Sequence, residues 1–145
     1  MQPYTKFQET ALFALRVIVA TIFLYAAYAK LPFWSGAPEG VPAGMVNLIK
    51  FLSIVEPLGA LALVAGFLTR WAAAGLGIIM VGAIFTLAFT MNVGFFTTPQ
   101  GVGWDYNLFI LGGTLILMAF GAGRWSVDAT RKKGGANPSS SLLSI

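Results

Sequence analysis

Long apolar stretches separated by short segments rich in glycine, proline or charge dominate this chain of 145 residues. A membrane-spanning helix requires about 20 consecutive, mostly apolar residues. Stretches of about that length, the fourth somewhat shorter, lie near residues 11–31, 46–68, 71–91 and 106–122. The pattern predicts an all-α fold: an integral membrane antiparallel four-helix bundle. It also predicts a short N-terminal segment at 1–10, a membrane domain at 11–128 and a flexible basic tail at 129–145.

The first apolar stretch also permits a second interpretation. Lys6 and Arg16 precede the apolar run 17–29, which ends in Ala27-Tyr28-Ala29. This A-x-A pattern is typical of a signal-peptide cleavage site. The apolar pattern, however, continues on the N-terminal side of Arg16, as it does in a spanning helix. Both interpretations stay open, and the four-span one is favoured.

Composition supports a membrane protein and limits its chemistry. The chain is 57% hydrophobic and 10% charged, with a mean hydropathy of +0.80, whereas soluble domains carry about 45–50% apolar and about 25% charged residues. It contains no cysteine and no histidine, which removes thiol chemistry and the usual zinc, haem and iron–sulfur ligands. We therefore expect no metal site and no covalent cofactor. The chain is more consistent with a protein that is not catalytic on its own.

Basic residues predict the orientation in the plasma (inner) membrane. With four spans, one side of the bilayer holds seven of the nine cations: Lys6, Arg16, Arg70, Arg124, Arg131, Lys132 and Lys133. The other side holds Lys30 and Lys50. Since loops rich in Lys and Arg remain in the cytoplasm, both termini are expected there. The net charge of +4 is thus explained by topology, and the lipid bilayer rather than nucleic acid is the expected partner.

Glu56 is the most informative charged residue in the sequence. It lies about ten residues into the second span, roughly 15 Å deep, where an isolated charge is costly. Small residues on the same helical face, Gly59 and Ala60, indicate that it points toward another helix. Arg16, a turn or so inside the first span, is the predicted partner, and the pair is a candidate ligand site. The alternative is that Arg16 extends to the cytoplasmic surface.

Two further groups of residues are candidates for binding or packing. Aromatic and charged residues at the outer end either anchor the protein at the headgroups or line a lidded apolar ligand site: Tyr25, Tyr28, Lys30, Trp34, Trp104, Asp105 and Tyr106. At the inner end, Arg124 and Asp128 are four residues apart. That spacing predicts a local ion pair on a helix.

Three segments together resemble the DoxX family of small bacterial and archaeal membrane proteins. They are LRVIVATIFLYAAYAKL in the first span, VEPLGALALVAGFLTR around Glu56, and GAGRWSVDA after the fourth span. The resemblance covers about residues 10–130. It implies a four-helix bundle with both termini inside, and a link to respiratory or sulfur-oxidising complexes that are coupled to quinone. The lack of cysteine argues against a direct role in sulfur relay.

Three functions follow from these observations. The resemblance favours an accessory subunit of a quinone-linked redox complex, in which partner subunits hold the redox centre and a quinone is bound nearby. The second is a non-catalytic anchor or assembly factor whose charges fix the bundle. The third is a small transporter or an intramembrane enzyme acting on a lipid-soluble substrate. A single deep carboxylate is not sufficient evidence for catalysis.

Overall fold

The computed structural model describes residues 4–134. Within that range the protein is helical and contains no β-strand. The five α-helices are α1 (Lys6–Lys30), α2 (Ala43–Ala65), α3 (Thr69–Phe85), α4 (Asp105–Phe120) and α5 (Val127–Gly134). A 3₁₀-helix, Leu31–Trp34, follows α1, and a π-helical stretch, Thr86–Thr90, extends α3.

Local sequence signals explain where α1 begins and ends. The Thr5 side chain accepts a hydrogen bond from the Gln8 backbone N–H, and the Gln8 side chain accepts one from the Thr5 N–H. This capping box satisfies N–H groups that the first turn leaves unpaired. It starts the helix five residues before the apolar stretch. Pro32, which lacks a backbone N–H, lies two residues after the end of α1, in the 3₁₀-helix.

A three-residue connection joins α2 to α3. Gly66 ends α2 in the left-handed conformation, with φ +67°, which glycine adopts without steric cost. Leu68 precedes α3 and is also left-handed, with φ +47°. The connection reverses the chain so that α2 and α3 are antiparallel neighbours, in agreement with the two residues that separate the predicted spans 46–68 and 71–91. Pro57 lies inside α2, and the helix continues through it.

The four long helices share one apolar core. Helix α1 packs most extensively against α2, and α3 against α4, with smaller contacts between α2 and α3 and between α1 and α4. The core residues are Leu12, Val19, Ala20, Phe23, Ala60, Leu63, Ala73, Leu76, Met80, Ile110 and Leu117. Glycines allow close approach at two points, where Gly59 meets Leu76 and Gly77 meets Thr114.

Large apolar side chains also cover the outside of the helices, as expected where lipid replaces water. Three helical segments are long and apolar enough to cross a membrane: Lys6–Trp34, Ala43–Ala65 and Thr69–Thr90. Helix α4 is apolar but has only 16 residues, about 24 Å at 1.5 Å per residue. The predicted all-helical membrane bundle is confirmed at this level.

Two sequence predictions concern the ends of the chain. Residues 129–134, assigned to a flexible tail, belong to helix α5, and residues 135–145 lie outside the described range. The A-x-A pattern at 27–29 lies inside α1, where Ala27 is buried. Because Val19 and Phe23 of the same helix are core residues, this segment is an integral part of the packed bundle.

Candidate functional site

A salt bridge joins the end of α1 to the middle of α2. Lys30 Nζ lies 2.6 Å from Glu56 Oε2 and also donates a hydrogen bond to the Ala26 carbonyl oxygen at 3.2 Å. The lysine side chain therefore folds back along α1 toward the bundle. Glu56 is 2% exposed and Lys30 is 22% exposed. The carboxylate is consequently enclosed, whereas the ammonium keeps some access to its surroundings.

The 3₁₀-helix extends this contact and attaches α1 to α2 a second time. Trp34 Nε1 donates to Ser53 Oγ at 2.9 Å, and the Ser53 hydroxyl donates to the Lys50 carbonyl at 2.7 Å. The Lys50 ammonium lies 5.6 Å from the centroid of the Trp34 ring. We refer to Lys30, Trp34, Lys50, Ser53 and Glu56 as the mid-bundle cluster.

The predicted pair between Arg16 and Glu56 is wrong, because Glu56 is bound by Lys30 instead. Arg16 and Lys30 are 14 residues apart on α1, about 21 Å along its axis. Arg16 lies beside Gly66 at the C-terminal end of α2, whereas Glu56 lies ten residues earlier in that helix. The offset between the two helices thus places Lys30, and not Arg16, opposite Glu56.

Arg16 is fully buried at the opposite end of the bundle, under the segment that leads into α5. Its Nη2 donates to the Trp125 carbonyl oxygen at 2.5 Å, and its guanidinium lies 5.3 Å from the Phe13 ring centroid. Nε and Nη1 have no hydrogen-bond partner among the described residues. The carboxylates of Glu9 and Asp128 are close enough to attract it electrostatically. The alternative interpretation, in which the Arg16 side chain extends to the cytoplasmic surface, is therefore also wrong.

Asp128, in the first turn of α5, caps the N-terminus of α3. Its Oδ1 accepts from the Leu68 N–H at 2.8 Å and its Oδ2 from the Thr69 N–H at 2.9 Å. The Asp128 N–H in turn donates to the Gly66 carbonyl at 2.9 Å. Burial raises the pKa of the Asp128 carboxyl, but these backbone N–H groups and the positive charge of Arg131 outweigh burial, so the pKa is lower than usual.

Glu9 holds the segment between α4 and α5. Its Oε2 accepts a hydrogen bond from the Arg124 backbone N–H, and Gly123, with φ +75°, lies against the same carboxylate. We refer to Glu9, Arg16, Gly66, Trp125 and Asp128 as the helix-end cluster. Through it, α1 and the turn after α2 are attached to the segment that follows α4.

The predicted ion pair between Arg124 and Asp128 is not formed, and no carboxylate within residues 4–134 lies within 4.0 Å of the Arg124 guanidinium. A pair at this spacing requires both residues on one helix. Arg124 precedes α5, and the left-handed Gly123 beside it interrupts any helix there. Asp128 is instead bonded to the start of α3.

The remaining predicted outer residues fall into separate places. Tyr25 and Tyr28 are exposed on α1, with ring centroids 6.4 Å apart. Asp105 closes the loop before α4, since its Oδ1 accepts from the Thr97 hydroxyl at 2.7 Å and from the Tyr106 N–H at 2.9 Å. Trp104 packs edge-on against Phe95 in that loop. The structure brings Lys30 and Trp34 together in the mid-bundle cluster and keeps the others outside it.

An open groove of about 910 Å³ lies at the end of the bundle that holds the helix-end cluster. It runs between the first turns of α1 and α3, the segment after α4, and α5. Its lining includes Tyr4, Glu9, Thr69, Arg70, Trp71, Arg124 and Arg131. Neither Arg16 nor Glu56 lines it. Among the described residues no group of three or more carboxylates could hold a metal ion.

The sequence interpretation missed Glu9 and Gly66 as site residues. Glu9 lies seven residues before Arg16, two helical turns along the same face, and this spacing was an available signal. The role of Gly66 depends on contacts between distant segments, because a Cβ atom there would collide with Arg16 Nη1 and Ser126 Cβ. No local pattern reveals such a contact.

Comparisons with known proteins agree with the resemblance inferred from the sequence. The DoxX family matches residues 11–89, more than half of the chain. The inner membrane protein YqjF of Escherichia coli (strain K12) is 30% identical over 139 residues, which cover 88% of this chain and 97% of YqjF. No solved structure is significantly similar to the chain.

Proposed function

Because this chain belongs to the DoxX family of membrane proteins, we propose that it is an accessory, non-catalytic subunit of a complex in the inner membrane. Its role is to supply a rigid helical bundle against which partner subunits assemble. The inner-membrane location is supported by the relative YqjF, which is described as an inner membrane protein. Membership of the family supports a helical membrane bundle and does not identify the partner subunits.

We propose four spans with both termini in the cytoplasm. The chain reverses between α2 and α3 within three residues, and α4 returns along α3. The end of the bundle with Arg16, Arg70, Arg124 and Arg131 is the basic one, and basic ends remain cytoplasmic. Helix α4 is shorter than the roughly 30 Å hydrocarbon core, a mismatch that local thinning of the bilayer accommodates at modest cost.

The observation that carries the proposed role is the salt bridge between Lys30 and Glu56. A carboxylate that donated or accepted protons, or bound a substrate, would need an approach path. Glu56 is instead enclosed and bonded to a cation from a neighbouring helix. Arg16 is likewise bonded to a backbone carbonyl and buried by the segment after α4. These charges fix the relative positions of helices, as buried ion pairs do when they specify a packing arrangement.

We further propose that the partner complex is quinone-linked, with the redox centre held by other subunits. The support for this step is the family resemblance. In such a complex the exposed apolar faces of the bundle, for example around Phe109 on α4, 77% exposed, would pack against partner helices or border the quinone. No residue of this chain is assigned to electron transfer.

The test is isolation of the full-length tagged protein from its own membranes in mild detergent, followed by native mass spectrometry. We expect partner subunits at fixed stoichiometry, together with a bound quinone. Recovery of the chain without partners would overturn the subunit role. Partners without quinone would overturn the redox assignment and leave an anchor or assembly factor.

A Glu56→Gln variant then separates a structural from a chemical role of the carboxylate. We expect less assembled complex, with the rate of quinone reduction per assembled complex unchanged. A fully assembled complex with a lower rate would show that Glu56 takes part in the reaction and would contradict the proposal.

A further inference from the structure

Three arginines converge on the groove at the basic end of the bundle. Arg70 comes from the first turn of α3, Arg124 from the segment after α4 and Arg131 from α5. All three are exposed, and none forms an ion pair with a carboxylate within residues 4–134. Three separate elements thus contribute an arginine to the lining of one concave surface, and the Arg131 guanidinium also lies 5.6 Å from the centroid of the Phe67 ring.

The carboxylates in the groove offset these arginines only in part, since Asp128 attracts Arg131 electrostatically without forming an ion pair with it. Glu9 is bonded to the Arg124 backbone N–H, and Asp128 to the N–H groups at the start of α3. Both carboxylates also compensate the buried charge of Arg16. Four arginines therefore share two carboxylates at this end, which leaves an excess positive charge directed at the groove.

Apolar residues stand beside the basic ones. Trp71 is 78% exposed and Phe120 is 53% exposed, and both line the groove. They lie at the ends of α3 and α4, where the apolar outer surfaces of the helices begin. A ligand seated here would meet guanidinium groups at one end and aromatic and aliphatic surface at the other. The volume, about 910 Å³, is in the range of ligand-binding clefts, about 300–1,000 Å³.

We propose that this groove binds the headgroup of an anionic phospholipid, with its phosphate among Arg70, Arg124 and Arg131 and its acyl chains along Trp71 and Phe120. Guanidinium groups suit phosphate because they offer paired donors in a fixed plane. The rim of aromatic residues argues for a lipid rather than a free phosphate, which gains nothing from apolar surface. The proposal concerns this chain alone and is independent of the partner complex.

The test is native mass spectrometry of the full-length protein in detergent, titrated separately with phosphatidylglycerol and with phosphatidylcholine. We expect one tightly bound phosphatidylglycerol per chain and weaker binding of the zwitterionic lipid. The Arg70→Gln/Arg124→Gln variant should bind phosphatidylglycerol about 25-fold more weakly, since each basic residue near the surface contributes about fivefold. The helical content of each variant, from circular dichroism, verifies that it remains folded.

A matched control removes two charges elsewhere. Lys6→Gln/Lys50→Gln should retain the wild-type affinity, because neither lysine lines the groove. Equal loss in both double variants would show diffuse surface attraction and overturn the site. Unchanged binding in the arginine variant would also overturn it. If inorganic phosphate at millimolar concentration displaced phosphatidylglycerol completely, the groove would be a phosphate site and the lipid proposal would be wrong.

Discussion

Lys30 Nζ lies 2.6 Å from Glu56 Oε2, although Lys30 ends α1 and Glu56 lies in the middle of α2. The two partners differ in exposure, and this difference predicts unequal effects of mutation. Lys30→Met leaves an enclosed carboxylate without a cation and should lower the free energy of unfolding by about 3–5 kcal/mol. Glu56→Gln should lower the free energy of unfolding by less, about 1–3 kcal/mol. The Lys30 ammonium is partly exposed and can turn toward its surroundings when the carboxylate is removed.

Reversible unfolding in mixed micelles by increasing dodecyl sulfate measures both variants on one scale. Lys50→Met is the control, since its ammonium lies over the face of Trp34 and forms no ion pair within residues 4–134. It should change the free energy of unfolding by less than about 1 kcal/mol. Equal losses for Lys30→Met and Glu56→Gln would contradict the asymmetry.

Gly66 should not tolerate a side chain. Its φ of +67° is unfavourable for residues with an L-configured Cβ, and a Cβ would collide with Arg16 Nη1 and Ser126 Cβ. We expect Gly66→Ala to reduce the free energy of unfolding by about 2–4 kcal/mol, combining left-handed strain and overpacking. In the same assay Gly75→Ala should be neutral or stabilising by about 0.5–1 kcal/mol, because, apart from its chain neighbours and its own helix backbone, no heavy atom lies within 4 Å of the place that the new methyl group would take.

The cap formed by Asp128 predicts a dependence of stability on pH. Its pKa in the folded protein lies below the ordinary value, about 3.9 for the unfolded chain. A carboxyl shifted in this direction stabilises the fold fully above about pH 3.9, and the contribution disappears as the pH falls through the folded pKa. Asn has one acceptor oxygen in place of two and no charge, so Asp128→Asn should be about 1 kcal/mol less stable than the wild type at pH 7, the difference between charged and neutral hydrogen bonds.

That difference should shrink as the pH falls below about 3.9 and through the folded pKa of Asp128, because protonation then gives both proteins a neutral side chain at position 128. Thermal unfolding of the two proteins in parallel gives the difference directly and cancels the effects of the other carboxyls. A difference that grew on acidification would contradict the assigned role of Asp128.

The absence of cysteine from the chain makes its topology directly testable. We expect single cysteines at Gly36 and Gly101, in the loops after α1 and α3, to react with a membrane-impermeant maleimide in intact spheroplasts. Cysteines at Lys6 and Thr130 should react only after permeabilisation. Labelling of Thr130→Cys from outside, with Lys6→Cys protected, would show that α4 does not cross the membrane.

Hydropathy predicted the helices because apolar stretches of spanning length have few alternatives in lipid. It could not predict which charged groups meet, because the pairing depends on how far each helix is shifted along its neighbour. Depth counted from the ends of apolar stretches placed Arg16 near Glu56, whereas α1 starts earlier, at Lys6, and ends level with the middle of α2. Lys30 was consequently assigned to the outer-end group and not to Glu56.

Irregular backbone explains why the predicted ion pair between Arg124 and Asp128 is wrong. The spacing of Arg124 and Asp128 fits a helix, but the left-handed Gly123 delays the start of α5 until Val127. The bond from Asp128 to the start of α3 joins residues about 60 positions apart, which no local pattern reports. The capping box at Thr5 and Gln8 was readable from the sequence, since it depends only on neighbouring residues.

In the proposed role, the charges inside the bundle hold the helices in place and take no part in chemistry. Replacing both members of the pair, in Lys30→Leu/Glu56→Leu, tests it most directly, because a buried pair can be exchanged for apolar residues at little cost in stability. The measurement is the amount of complex recovered from membranes and its activity per complex. We predict that each single leucine variant reduces recovery and that the double variant restores both quantities to near the wild-type level. A double variant that assembles fully and lacks activity would contradict the account.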